Sequence, residues 1–263
     1  RKVSVYGTIF LKSTFNLNIT EKSKGINECI DVNTMQFGNN WKKHFFNFEI
    51  VKFKSSTTCT WELFSEIIKV HTSNTEYSIK NLLKTLIELY TDILESETNK
   101  KMINSIFSVQ GKKQFINSYY KDTTLRDLIT FNDYYLTELD FLILSHHYNI
   151  PLILICNTTI PGIASKHISF IKDPTNISNC FIINASNYSA RKINPSIPPI
   201  YGLLSKRNNY SLSIYELPEN VFIRISSLNC YTIKDYHTII VRSKNTKNIK
   251  TEPIISHSPV EGK

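Results

Sequence analysis

The sequence predicts an α+β domain with a central sheet covered by helices, and three observations support that prediction. Strand-like alternation comes first, amphipathic helices follow, and strand-like segments return in the last third of the chain. Between residues 134 and 156, a helical pattern, a proline and a short apolar run adjoin. This arrangement is expected where a helix leads into the buried central strand of a sheet.

The first 54 residues alternate in the manner of strands, most clearly over 3–6 and 45–53, and predict a β-rich N-terminal extension. Two amphipathic helices follow, over 61–70 and 77–94, because apolar residues return there at helical spacing. The segment 95–101 is expected to be a loop. Shorter helical segments are expected after it, over 102–109, 112–121 and 124–129.

The block from residue 134 to residue 156 is the best-defined part of the sequence. Thr137 suits the N-cap of a helix, and Glu138 and Asp140 suit its positive end. Pro151 ends that helix, and the apolar run 152–155 has the length of a strand that is buried on both faces.

The remaining strands are predicted to be short, and they alternate over 168–171, 180–183, 201–204, 210–215, 221–225 and 237–241. From residue 243 the chain is rich in Lys, Asn and Ser and is expected to be a flexible tail or linker. The predicted domains are therefore the extension over 1–54, an α+β domain over 55–242 and a tail over 243–263.

Composition narrows the classes of protein. With 263 residues, 41% of them hydrophobic, the chain is globular, and no apolar run is long enough to cross a membrane. Five scattered cysteines without a Cys-x-x-Cys pair argue against a disulfide scaffold and a zinc site, and predict an intracellular, reducing environment: Cys29, Cys59, Cys156, Cys180 and Cys230. No metal or cofactor is expected.

The net charge of +9 favours an acidic partner, and nucleic acid is one such partner. The basic residues are spread singly or in pairs along the chain, and a sequence rich in Lys, Asn and Ile also arises from an AT-rich genome. Charge therefore admits nucleic-acid binding without selecting it.

Cys59 has the most informative setting among the thiols, because it lies where the first predicted helix begins. The N-terminus of a helix favours the thiolate and offers backbone N–H donors to an oxyanion. That is the geometry of a nucleophile. The alternative interpretation is that Thr57 or Thr58 caps the helix and that Cys59 only packs.

The chain combines a cysteine at the start of a helix, a long second helix, and a Leu-rich helix that leads through Tyr-Asn-Ile-Pro at 148–151 into a buried strand. This layout resembles that of one known family. It is the ovarian-tumour (OTU) family of papain-like cysteine proteases, many of which remove ubiquitin, and the resemblance covers residues 50–215. It implies a papain-type fold, Cys59 as nucleophile, Thr57 and Thr58 in the oxyanion loop, and ubiquitin or a ubiquitin-like protein as partner.

Two motifs depart from the family. Its nucleophile lies in Asp-Gly-Asn/Asp-Cys-Leu-Phe/Trp, whereas here the loop residues are Ser56, Thr57 and Thr58. Its general base is a His in a His-Tyr pair at a strand start, and Asn209 occupies that place. Because Asn cannot accept a proton from a thiol, the candidate base is His237, oriented by Asp235.

These departures favour a descendant that has lost activity over an active deubiquitinase-type hydrolase. The AT-rich composition predicts that this OTU-like domain belongs to a larger protein of a large DNA virus. The resemblance implies that it binds ubiquitin, a ubiquitin-like protein or other viral proteins in the host cytoplasm or the virion. The competing hypothesis is a basic, non-enzymatic module of a viral transcription or replication apparatus that binds nucleic acid or protein.

Overall fold

The described part of the chain is built around one mixed β-sheet with helices packed against it, which confirms the predicted α+β class. The computed structural model describes residues 39–45, 47–52, 57–113, 129, 134–160, 162–163, 165–172, 177–217 and 232–248. The patterns predicted over 3–6, 114–121, 124–128 and 221–225 lie outside the described residues, as do Cys29 and Cys230.

Six strands form the sheet: β1 (Glu49–Lys52), β2 (Leu152–Cys156), β3 (His167–Ser169), β4 (Asn179–Ala185), β5 (Tyr201–Ser205) and β6 (Leu212–Ser213). Their order is β1-β5-β4-β2-β3, and β6 pairs with the start of β4. Strands β2 and β4 are parallel, and the other pairs are antiparallel. In the strand order, the two parallel strands β4 and β2 are neighbours at the centre of the sheet.

The helices of the described residues are α1 (Asn39–Lys42), α2 (Thr57–Thr72), α3 (Ile79–Leu94), α4 (Glu97–Val109), α5 (Glu138–Tyr148), α6 (Tyr188–Ile193) and α7 (Ile233–Asn248). The two long helices α2 and α3 confirm the two amphipathic helices that were predicted from the apolar periodicity of the sequence. The prediction of a loop over 95–101 is wrong, because helix α4 begins at Glu97. The Ser96 side chain caps this helix by accepting a hydrogen bond from the Asn99 N–H.

The predicted helix, proline and strand are present as α5, Pro151 and β2. Asp140 accepts a hydrogen bond from the Thr137 N–H at 2.7 Å, which satisfies a donor at the start of α5. Asn149 ends the helix in the left-handed conformation with φ 54°. Every residue of β2 is buried, as the continuous apolar run predicts.

The two faces of the sheet have different cores. Leu152 and Leu154 of β2 point to the face that carries the larger apolar cluster, together with residues of α2, α3, α4, α5 and α7. Ile153 and Ile155 point to the other face, where they join a cluster that includes Trp41 and Phe45. Burial on both faces explains why this strand is apolar throughout.

Strand β1 lies within the predicted N-terminal extension and is the edge strand of the sheet. It pairs antiparallel with β5, with Glu49 opposite Ser205 and Lys52 opposite Gly202. The indole Nε1 of Trp41 donates to the Cys156 carbonyl at 2.8 Å and ties α1 to the end of β2. Residues 39–52 are thus joined to the central sheet.

The strand predicted over 237–241 is wrong, because these residues lie inside helix α7. Tyr236 and Ile240 of that helix are buried four positions apart, on one helical face. The helix continues to Asn248, so residues 243–248, which were expected to belong to a flexible tail, are helical.

The strand predicted over 210–215 is shorter than expected. Only Leu212–Ser213 pairs with β4, and the chain then enters a 3₁₀ turn over Ile214–Glu216. Helix α6 has six residues and was not predicted.

Gly111 fixes the approach between the end of α4 and the loop after α6. Its φ is +79°, a conformation that other residues rarely adopt, and a Cβ atom there would lie 1.9 Å from the Pro195 carbonyl oxygen. Glycine therefore lets the chain around Gln110 and Lys112 pass directly against the Pro195 backbone.

Candidate functional site

Cys59 lies in the first turn of α2, as predicted, and it is buried with 5% of its surface exposed. The next two residues attach this turn to the segment before α5. Thr60 Oγ1 accepts from the Leu136 N–H at 2.9 Å, and Trp61 Nε1 donates to the Tyr134 carbonyl at 3.0 Å. The turn that carries Cys59 is therefore held against the interior of the fold.

The predicted oxyanion loop is helical in its last two residues. Helix α2 begins at Thr57, so Thr57 and Thr58 belong to its first turn together with Cys59. Donors for an oxyanion would consequently have to be the N–H groups of a helical turn, which point along the helix axis.

Glu62 follows Cys59 on the same face of α2, because residues three apart on a helix have Cβ atoms about 5–6 Å from each other. Its side chain is fully buried, and neither carboxyl oxygen has a partner among the described residues. Burial raises the pKa of Glu62 to about 7. A single Glu in an amphipathic helix normally faces water, so the sequence alone did not reveal this carboxyl.

His237 and Asp235, the predicted base and its orienting residue, lie on α7. That helix packs against α4 and α5, whereas the helix of Cys59 packs against α3 and β5. Asp235 Oδ2 accepts from the Thr232 hydroxyl at 2.7 Å, and the Asp235 N–H donates to Thr232 Oγ1 at 3.1 Å. Thr232 thus caps the start of α7, and the Asp235 carboxylate is bonded to that cap.

Helical geometry also separates Asp235 from His237. Residues two apart on a helix point about 200° from each other, so this carboxylate does not orient that imidazole. The prediction that His237 begins a strand is wrong, because His237 is a half-buried residue within helix α7.

Asn209, at the family's histidine position, lies in the turn after β5. Arg207 and Asn208 have positive φ angles of 51° and 64°, and Asn209 closes the turn by pairing with Lys206. Asn209 is exposed, and its Oδ1 accepts from the Ser211 N–H at 3.0 Å. Its side chain therefore stabilises the chain that follows the turn.

Tyr210, the residue after Asn209, is half-buried. Burial, and then the charge of Glu66 on α2, raises the pKa of Tyr210 to about 12. Glu66 is seven residues after Cys59, or about 10 Å along the helix axis.

The largest polar cluster of the described residues surrounds Asp140 in the first turn of α5. Lys112 Nζ lies 2.5 Å from Asp140 Oδ2, and the hydroxyls of Tyr90 and Tyr134 donate to Oδ1 at 2.8 Å and 2.7 Å. With the Thr137 N–H, four groups donate to one carboxylate, and the ion pair is fully buried. We call these five residues the Asp140 cluster.

The environment of the Asp140 cluster shifts the pKa values of Lys112 and of the two tyrosines. Burial lowers the pKa of Lys112, although the Asp140 carboxylate opposes that effect. Burial, and then the same carboxylate, raises the pKa of Tyr90 and of Tyr134 well above the usual value. One carboxylate on α5 thus bonds to α3, to the chain that follows α4 and to the chain that precedes α5.

A second polar cluster adjoins the first and contains Glu138, Tyr188, Tyr201 and Arg191, all buried. The Tyr188 hydroxyl donates to Glu138 Oε1 and lies 3.0 Å from the Tyr201 hydroxyl. Arg191 Nη2 donates to the Gln110 carbonyl at 2.9 Å, which joins α6 to the end of α4. Sequence reasoning missed the burial of Lys112 and Arg191, because each is followed by a lysine and such basic pairs carry no signal of burial.

The other two described thiols, Cys156 and Cys180, lie in the interior of the fold. Cys156 and Cys180 are buried and unbonded to each other or to another sulfur. Burial raises the pKa of Cys180 to about 12 and that of Cys156 well above its usual range. Both are therefore protonated thiols that pack as small apolar groups.

No group of three or more His, Cys, Asp and Glu side chains could hold a metal ion in the part of the chain that the structure describes. Within the same residues, no helix combines the length and the apolar character that crossing a membrane requires.

Comparisons of the chain with protein-family models, with curated proteins and with solved structures return no match. The fold therefore defines the protein as an α+β domain with a mixed sheet around a parallel central pair. Its fully buried ion pair, Lys112 with Asp140, lies at the start of α5.

Proposed function

We propose that the chain is an OTU-like domain that binds ubiquitin or a ubiquitin-like protein inside the host cell without hydrolysing it. The observation that carries this proposal is the position of Cys59, which is 5% exposed while its two predicted activating residues lie on another helix. The layout of a cysteine helix packed beside a buried central sheet supports the OTU-like part.

Chemical requirements support loss of activity. A thiol attacks a carbonyl only as the thiolate, with a base within hydrogen-bond reach and an open path to the substrate. The Asp235 carboxylate bonds to Thr232 at the start of α7 instead of orienting His237, and Asn209 cannot take a proton. Glu62 on the same helical face is neutral when protonated and negative when ionised, so it supplies no positive charge of the kind that lowers a thiol pKa.

The test is a titration of nitrogen-15-labelled ubiquitin with the protein, followed by NMR, together with incubation of the protein with ubiquitin chains. We expect saturable shifts of ubiquitin resonances and no cleavage of the chains. Cys59→Ala should bind with unchanged affinity, because the residue is interior and outside a binding surface. Absence of shifts at high protein concentration contradicts binding, and cleavage contradicts the loss of activity.

The net charge of +9 favours a second candidate, a nucleic-acid-binding module. Such a module would bind single- or double-stranded nucleic acid with an affinity that falls steeply as salt rises, because basic side chains release counterions from phosphates. Binding of ubiquitin with little salt dependence, and weak retention of nucleic acid at physiological salt, would favour the first candidate.

A further inference from the structure

Arg191 and Glu138 are opposite charges that are both buried in the second polar cluster but do not bond to each other. Arg191 is completely inaccessible, and Glu138 is 1% exposed. No nitrogen of Arg191 lies within 4.0 Å of a Glu138 carboxyl oxygen in this described region. Taking two such charges out of water is costly unless their remaining hydrogen-bonding atoms are satisfied.

Tyr188 places the two charges near each other. The Arg191 guanidinium carbon lies 5.0 Å from the centroid of the Tyr188 ring, and the hydroxyl of the same ring donates to Glu138 Oε1. Both charged groups therefore contact one tyrosine, from its face and from its hydroxyl end. The centroid of the Tyr135 ring lies 5.9 Å from the same guanidinium carbon.

Three polar atoms of this pair have no protein partner. Arg191 uses Nη2 for the carbonyls of Gln110 and Pro195, at 2.9 Å and 3.5 Å, and its Nε and Nη1 donate to no described residue. Glu138 Oε1 accepts from Tyr188, and Oε2 has no donor. Arg191 Nε and Nη1 thus remain as donors without a protein acceptor, and Glu138 Oε2 remains as an acceptor without a protein donor.

We propose that the space between Arg191 and Glu138 is an internal water-binding site, in which ordered water accepts from Arg191 Nε or Nη1 and donates to Glu138 Oε2. Buried polar groups in proteins are satisfied by a protein partner or by ordered water, and a buried water needs about two to four polar partners. The two charged groups supply both kinds of partner. The bound water would hold α6 to the start of α5 without a direct ion pair.

A crystal structure of the unmodified protein tests this site directly. We expect a water oxygen within about 3.2 Å of Glu138 Oε2 and of Nε or Nη1 of Arg191. A direct hydrogen bond between Arg191 and Glu138 with no water between them would overturn the proposal.

A solution measurement tests the same site independently of crystals. Oxygen-17 magnetic relaxation dispersion counts the long-lived internal waters, and Arg191→Met should lower that count by at least about one, because a thioether offers no donor. Lys206→Met is the matched control, since Lys206 pairs with Glu216 at the surface, and it should leave the count unchanged. An equal count in folded Arg191→Met and the unmodified protein would also refute the site.

Discussion

Replacing Asp140 with asparagine should lower the free energy of unfolding by about 3–5 kcal/mol, the cost found when one partner of a buried ion pair is removed. The substitution leaves the Lys112 ammonium buried without its counter-charge, 2.5 Å from the site of the lost carboxylate. It also places an amide N–H₂ group among donors, because Tyr90, Tyr134 and the Thr137 N–H all point at this carboxylate.

Urea unfolding followed by tryptophan fluorescence measures this effect, since the Trp61 ring lies 6.0 Å from that of Tyr134 in the Asp140 cluster. Asp92→Asn is the matched control, because Asp92 is exposed on α3, and it should change stability by less than about 0.5 kcal/mol. The double variant Asp140→Asn with Lys112→Met should be more stable than Asp140→Asn alone, because neither charge remains. Equal stability of Asp140→Asn and Asp92→Asn would refute the structural role of the cluster.

The second large effect concerns Glu62, whose pKa burial raises from the usual 4.5 to about 7. Between about pH 4.5 and pH 7, the carboxyl of Glu62 is therefore protonated in the folded protein and mostly ionised in the unfolded chain. By linkage, the contribution of Glu62 to stability is fully present below about pH 4.5 and is lost as the pH rises to about 7. The full difference is on the order of 3 kcal/mol, at about 1.4 kcal/mol for each pKa unit.

Glu62→Gln removes this titration, so the stability of the variant relative to the unmodified protein should rise between about pH 4.5 and pH 7 and then stay constant. The comparison uses the difference between two urea unfolding series over that range, because other groups titrate equally in both proteins. Glu76→Gln, at an exposed position after α2, should show no such difference. Parallel pH profiles for Glu62→Gln and the unmodified protein would show that the carboxyl has a partner or reaches water.

Much of the fold could be predicted from local patterns. The start of α5, Pro151 and the buried strand β2 follow from a cap, a breaker and an apolar run within about twenty residues. Helices α2 and α3 follow from one apolar face each. These elements were predictable because the interactions that define them are local in the sequence.

Helix α7 could not be predicted in the same way. The run from His237 to Val241 is rich in β-branched residues, which favour strands, and it was interpreted as one. Burial of Tyr236 and Ile240 against the helical layer decides the conformation, and the Gln110 side chain bonds to the Tyr236 hydroxyl across 126 positions. Tertiary contacts thus override local propensity here.

The candidate site was predictable only in part. Cys59 at the start of a helix was predicted, whereas the buried charges were not. Lys112 reaches Asp140 across 28 positions, and Arg191 reaches Gln110 across 81 positions. A basic residue looks the same in sequence whether it faces water or a buried carboxylate, so long-range folding alone identifies these partners.

We propose that Cys59 does not act as a nucleophile, and the most direct test is reaction with ubiquitin that carries a thiol-reactive group at its C-terminus. The folded protein and its Cys59→Ala variant should both remain without a ubiquitin adduct in intact-mass spectra, because the thiol is buried and its predicted base lies on another helix. A stoichiometric adduct on the unmodified protein that is lost in Cys59→Ala would contradict the account and identify an active cysteine hydrolase.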